Sequence, residues 1–266
     1  MSRLEDAPAT GSTIPDASLR RVRPGAELLL VLGVSLGASA VYAVVQLADT
    51  LSRGPLSGQT TTLNPSQSDR AVFDLIYQLL GIGFDLVPVL LALYLLAAPG
   101  APALRRIGLD GRRPAADLGG GLLLALVIGV PGLGLYLAAV HLGLDVKVAA
   151  SGLDPHWYAI PVLVLSALRA ALQEEVIVVG FLFAKLDDLR WRPWAVLVAS
   201  ALLRGSYHLY QGFGGFIGNA VMGVVFGLVY RRFGRVAPLV VAHFLLDFVS
   251  FVGYDLLKSL APHLLP

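Results

Sequence analysis

The chain has no cysteine. Disulfides, thiolate nucleophiles and cysteine-ligated zinc are therefore excluded. Charge is also scarce: 14% of the residues are charged, where a soluble domain carries about 25%. Lysine is rarer than arginine, so most of the positive charge is guanidinium. No S-x-x-K motif and no H-E-x-x-H helix occurs. The first absence disfavours a serine nucleophile and the second a zincin-type metal site.

Apolar residues are abundant instead, at 56% with a mean hydropathy of +0.73. They gather in runs long enough to span a bilayer, which takes about 20 residues. The expected fold is an all-α polytopic membrane protein with about seven transmembrane helices. The runs lie at about 26–48, 71–98, 117–141, 157–186, 194–210, 216–230 and 236–257. An eighth, re-entrant or split segment stays open, because residues 157–186 would measure about 45 Å as straight helix. Pro131, among Gly129, Gly132 and Gly134, predicts a kink in the third run. Residues 1–24 read as a disordered cytoplasmic tail, 25–258 as a single transmembrane domain and 259–266 as a short tail. The first run is too long for a signal-peptide core, so it reads as an uncleaved span.

Orientation follows from arginine and lysine. With the N-terminus in the cytoplasm, inside segments hold Arg3, Arg20, Arg21, Arg23, the arginines at 105–113, Lys185, Arg190, Arg192, Arg231, Arg232 and Arg235. Outside segments hold only Arg53, Arg70, Lys147 and Lys258. A multi-pass protein of a bacterial plasma membrane is expected, with the lipid bilayer as partner and no nucleic acid.

Within the fourth run stand two adjacent carboxylates, Glu174 and Glu175. A carboxylate at bilayer depth costs about 2.5 kcal/mol or more on insertion scales, so the pair needs buried partners or a task. His208, His243 and Asp247 lie in later runs, and all five are expected to converge on one site. His243 and Asp247 are i, i+4 and share a helix face. Counted from the inner helix ends, Glu174 and His208 reach similar depth and His243 is shallower. A carboxylate with two imidazoles can activate a water for attack on a peptide carbonyl. An imidazole can also donate to the developing oxyanion.

These residues fall in three motifs. Glu174-Glu175-Val-Ile-Val-Val179-Gly180-Phe181-Leu182 resembles the E-E-x-x-x-R motif of the CAAX-protease and bacteriocin-processing (CPBP, or Abi) family of intramembrane glutamate endopeptidases. Leu203-Arg204-Gly205-Ser206-Tyr207-His208 resembles its F-x-x-x-H motif, and His243-Phe-Leu-Leu-Asp247 its H-x-x-x-N/D motif. The resemblance covers about 157–250. It implies that Glu174 is the general base, assisted by His208, with His243 and Asp247 supporting the oxyanion, a peptide or membrane-protein substrate, and no metal or cofactor. An ionised aspartate cannot donate, so Asp247 is expected to orient His243.

Two positions depart from the family. Val179 stands where the motif has arginine, and Arg204 where it has phenylalanine. Arg204 is expected to supply the missing cation to Glu175. Four other readings compete with the peptidase: a structural pairing of the glutamates with Arg169 and Arg204, a non-catalytic scaffold or immunity-type member, a zinc protease using His208, His243 and a carboxylate, and a proton-coupled transporter. His141 and His156 read as solvated, Asp74 and Asp85 as possible cavity lining, and Asn219 as an interhelical hydrogen-bonding group.

Overall fold

A computed structural model describes residues 23–98 and 100–260. Most of the tail expected at 1–24, with Arg3, Arg20 and Arg21, lies outside them, as does His263. Eleven α-helices make up most of the described chain. They are α1 (Pro24–Gly33), α2 (Leu36–Arg53), α3 (Ala71–Asp85), α4 (Val87–Leu96), α5 (Ala103–Arg106), α6 (Pro114–His141), α7 (Ala159–Glu174), α8 (Leu182–Asp188), α9 (Pro193–Ser206), α10 (Phe213–Phe233) and α11 (Ala237–Leu260). A π-helical stretch, Glu175–Phe181, joins α7 to α8. Proline opens several helices: Pro24, Pro114 and Pro193 sit in the first turn, where a missing N–H costs nothing.

The architecture is that of a polytopic membrane protein. Four helical segments are long and apolar enough to cross a bilayer: Ala71–Leu96, Pro114–His141, Phe213–Phe233 and Ala237–Leu260. The pair α1 and α2, bent by 49°, makes a fifth if it is one broken span. Two of the seven expected runs do not pass this test, for physical reasons. The run at 157–186 is helical, but it changes to a π-helix in mid-course and carries Arg169, Glu174, Glu175 and Lys185. The run at 194–210 yields α9, which ends at Ser206 after 14 residues. That is about 21 Å of helix, short of a hydrocarbon core of about 30 Å. The expected proline kink does not break α6, which continues through Pro131.

The bend between α1 and α2 falls at Gly33-Val34-Ser35-Leu36-Gly37, which spells G-x-S-x-G. A nucleophile elbow needs a strand-to-helix turn that exposes its serine. Here Ser35 is buried between two helices and its hydroxyl donates to the Val31 carbonyl. The string therefore marks a Gly/Ser kink.

The connections alternate between two ends of the bundle. At one end, Val236 N–H donates to the Ile107 carbonyl (2.9 Å) and Ala237 N–H to the Gly108 carbonyl (3.3 Å). Gly108 has φ +68°, and a Cβ there would lie 2.6 Å from the Arg235 Cα, so only glycine fits. Arg235 clamps Asp117 through two bonds (2.7 and 2.6 Å) and Asp110 through a third (3.1 Å). The Asp117 hydrogen bonds raise the Arg235 pKa above its ordinary value. Arg231 pairs with Asp187, and buried Lys185 with Glu27.

At the other end, β1 (Thr60–Thr62) and β2 (Lys147–Ala149) pair in parallel, Thr61 opposite Val148. The residues just before β2 are tied to the last turn before α10. Val146 N–H donates to the Gln211 carbonyl (2.9 Å) and Phe213 N–H to the Leu144 carbonyl (3.0 Å). Buried Asp145 accepts from the N–H groups of Gly214 (2.7 Å) and Gly215 (3.3 Å), and burial pushes its carboxyl above the usual aspartate range.

Candidate active site

Depth follows from helix length. Both α8 and α9 meet the connection at residues 189–192, and Glu174 lies 14 residues back from Asp188. The helix α9 also runs 14 residues from that connection, and Arg204 and Tyr207 at its end bond the glutamates. The short helix α9 thus stops level with the glutamates. Its last turn places Arg204 and Tyr207 against them, and the space above it is left to loops.

The cluster begins with Arg204, which is fully buried. Its Nη2 is 2.7 Å from Glu175 Oε1 and its Nη1 3.2 Å from Glu174 Oε2. The expected cation therefore reaches both glutamates. Gly223 on α10 leaves room for its stem, since a Cβ there would lie 3.0 Å from the Ala201 Cα and 3.4 Å from the Arg204 Cδ. The guanidinium also lies over the Phe226 ring, 5.5 Å from its centre. Removing one member of such a buried pair costs about 3–5 kcal/mol.

The Tyr207 hydroxyl donates to Glu174 Oε2 at 2.7 Å. Glu174 Oε2 thus accepts from two donors, which leaves Oε1 as its uncommitted oxygen. His243 Nδ1 lies 2.7 Å from Glu175 Oε1, and its Nε2 is 3.5 Å from Asp247 Oδ2. The depth gap counted along the sequence is absent, because α11 brings His243 level with Glu175. His208 stands apart. It follows the end of α9, and its Nδ1 is 3.0 Å from the Arg204 carbonyl. When Nδ1–H donates there, Nε2 is left as an acceptor. His208 makes no hydrogen bond to either glutamate.

Glu174 is the last residue of α7 and Glu175 the first of the π-helix, a run of Val, Ile and Val before Gly180. β-Branched residues are weak α-formers, and π-turns recur at functional sites. Ser200 of α9 steadies the stretch by donating to the Val178 carbonyl at 3.0 Å. Gly180 lets it approach Ile107, with a Cβ at 3.2 Å from that side chain.

Glu174, Glu175 and His243 present ligating atoms all within 4.8 Å of one another, a spacing that could hold a metal ion. Arg204 already places a fixed positive charge against both carboxylates. A divalent ion there would face that cation in a low-dielectric interior, so the donor set suits a guanidinium better.

Other sequence expectations fall out differently. Arg169 does not pair with the glutamates. It bonds Gln173 (3.2 Å) and pairs with Asp85 (3.5 Å), beside a cavity of about 450 Å³ that both residues line. Asp74 is buried and accepts from the Tyr158 hydroxyl. Asn219 donates to Gly215 on its own helix and not across the bundle. His141 and His156 are exposed. Tyr207 is the functional candidate that residue-type reasoning passed over. Its signal was its place beside His208 in the second motif.

Residues 156–249 match the family model described as type II CAAX prenyl endopeptidase Rce1-like. Over that segment the chain is similar to CAAX-type endopeptidases. Every member of the cluster, from Glu174 to Asp247, falls inside the Rce1-like segment, while α1 to α6 lie before it. Comparison with curated proteins and with solved structures gives no match.

Proposed function

We propose that the protein is a metal-independent intramembrane endopeptidase in which Glu174 activates water. The observation that carries this reading is the division of labour between the two glutamates. Glu175 is engaged by Arg204 and His243 through one oxygen. Glu174 is held through Oε2 alone, by Arg204 and Tyr207, with Oε1 left over. A base needs one oxygen anchored and the other open.

In the proposed reaction, Glu174 Oε1 takes a proton from a water whose oxygen attacks the scissile carbonyl carbon. His208, with Nε2 as acceptor, shares that proton. The tetrahedral oxyanion accepts a hydrogen bond from His243 Nε2–H, which gives up its long 3.5 Å contact with Asp247 while Nδ1 stays on Glu175 Oε1. The proton then passes to the amide nitrogen, the C–N bond breaks, and a carboxylic acid and an amine leave. No covalent intermediate is needed. Substrates are peptide segments of membrane-associated proteins, and the prenylated tails in the family's name are one such class. By the arginine bias, the end bearing Arg106, Arg231 and Arg235 faces the cytoplasm and the strand-capped end faces outward.

The test is a comparison of peptide termini in membranes from cells expressing wild type or Glu174→Ala. A terminus present only with wild type, and insensitive to chelator, supports the reading. Equal termini would favour the scaffold. A terminus lost to chelator and restored by zinc would favour a metalloprotease. Tyr207→Phe keeps the ring but frees Glu174 Oε2 from one donor, and should slow cleavage about tenfold. A wild-type rate would leave the hydroxyl without a role.

A further inference from the structure

Above the short helix α9 lies a polar cavity of about 510 Å³. One wall is the end of α2, where Gln46, Asp49, Thr50 and Arg53 follow one another at i, i+3, i+4 and i+7 and form one stripe. The facing wall is β1. Tyr210 lines the cavity as well, and its ring stacks 6.3 Å from that of His208. Tyr210 thus links the cavity wall to His208, whose ring lies 4.8 Å from that of Tyr207.

The backbone of β1 has an open side. Lys147 N–H donates to the Gln59 carbonyl (2.9 Å) and Leu63 N–H to the Ala149 carbonyl (2.8 Å), so alternate residues Gln59, Thr61 and Leu63 face β2. The amide groups of Thr60 and Thr62 must then point the other way. Among the described residues, no loop or helix backbone pairs with them. Both threonines are exposed. An unpaired edge is a template for another strand, and adding an extended peptide to such an edge is a known recognition mode.

We infer that the outward edge of β1 is a docking strand for an extended segment of the substrate peptide. This inference rests on the peptidase reading and adds to it how the substrate is held. The polar walls suit a peptide backbone and disfavour an acyl chain. Pairing with Thr60 and Thr62 would stretch the peptide into the extended form a protease needs, with its scissile bond lowered past Tyr210 toward Glu174.

The test places a benzophenone side chain at Thr62 in the full-length Glu174→Ala protein in its native membrane, with Leu118 on α6 as the control position. Peptides that accumulate uncleaved in Glu174→Ala membranes should crosslink at Thr62 and not at Leu118. In the catalytically intact protein, Thr62→Pro removes only an outward N–H, a place where an edge strand tolerates proline. It should lower cleavage of those peptides about tenfold with unchanged thermal unfolding. Accumulation of uncleaved peptides with only lipid crosslinked at Thr62 would overturn the docking strand and leave the peptidase standing. No difference in termini between wild-type and Glu174→Ala membranes would overturn the peptidase and the docking strand with it.

Discussion

Two arginines in this molecule each hold two carboxylates, and they do so differently. Arg235 grips Asp117 with two parallel bonds and Asp110 with a third, at the rim of the bundle. Its partners come from separate stretches of chain, so the clamp ties α6 and the loop before it to the turn that opens α11. Arg204 lies in the interior and spreads its bonds over two neighbouring glutamates, one each. Around Arg204 the bonding is incomplete: Glu175 Oε2 and Arg204 Nε are buried without a partner. A structural clamp satisfies its polar groups. A buried cluster that leaves some open carries a cost of about 1–3 kcal/mol per group, and unsatisfied groups of this kind in native structures call for a functional account.

The contrast can be broken first at Arg204. Arg204→Leu strands two carboxylates and should destabilise the protein by about 3–5 kcal/mol, read as thermal unfolding in detergent. Adding Glu175→Gln removes one of the stranded charges and should recover part of that loss. Strict additivity of the two changes would mean that they do not interact. Arg235→Leu should shift unfolding by less than half as much, because its partners can turn to water, and cleavage per folded molecule should stay at the wild-type level. An equal or larger shift at Arg235 would reverse the ranking of the two clusters.

The smallest effect is expected at Gly223. Gly223→Ala crowds Ala201 and the Arg204 stem and should cost about 1–2 kcal/mol as α9 and α10 adjust. A neutral result would mean that the Arg204 stem has slack.

How much of this could be read from sequence depends on the kind of signal. A polar group in an apolar run is conspicuous, so Glu174, Glu175, His208, His243 and Asp247 stood out by residue type and Arg204 by its departure from the motif; the structure brings all but His208 into one bonded cluster. The resemblance to the CAAX-protease family rested on those residues, and the family match covers the same stretch. Depth was less legible. It was counted along straight α-helices with uniform ends, whereas the α7–α8 segment passes through a π-helix and α9 ends four residues before the apolar run does. Those two irregularities account for the shallow estimate for His243 and for placing His208 inside a span. Tyr207 was hidden because a tyrosine in an apolar helix looks like ordinary packing. Thr60–Thr62 gave no signal, since three threonines in a polar loop become a strand only when residues 147–149, far along the chain, lie beside them.

The most direct test is the cleavage rate of a bond identified in membranes, measured in liposomes with wild type and with Glu174→Gln, both checked for equal thermal unfolding. Glu174→Gln keeps the shape and removes the base, so the account predicts a rate at least about 100-fold lower. An unchanged rate in a folded Glu174→Gln protein would contradict it.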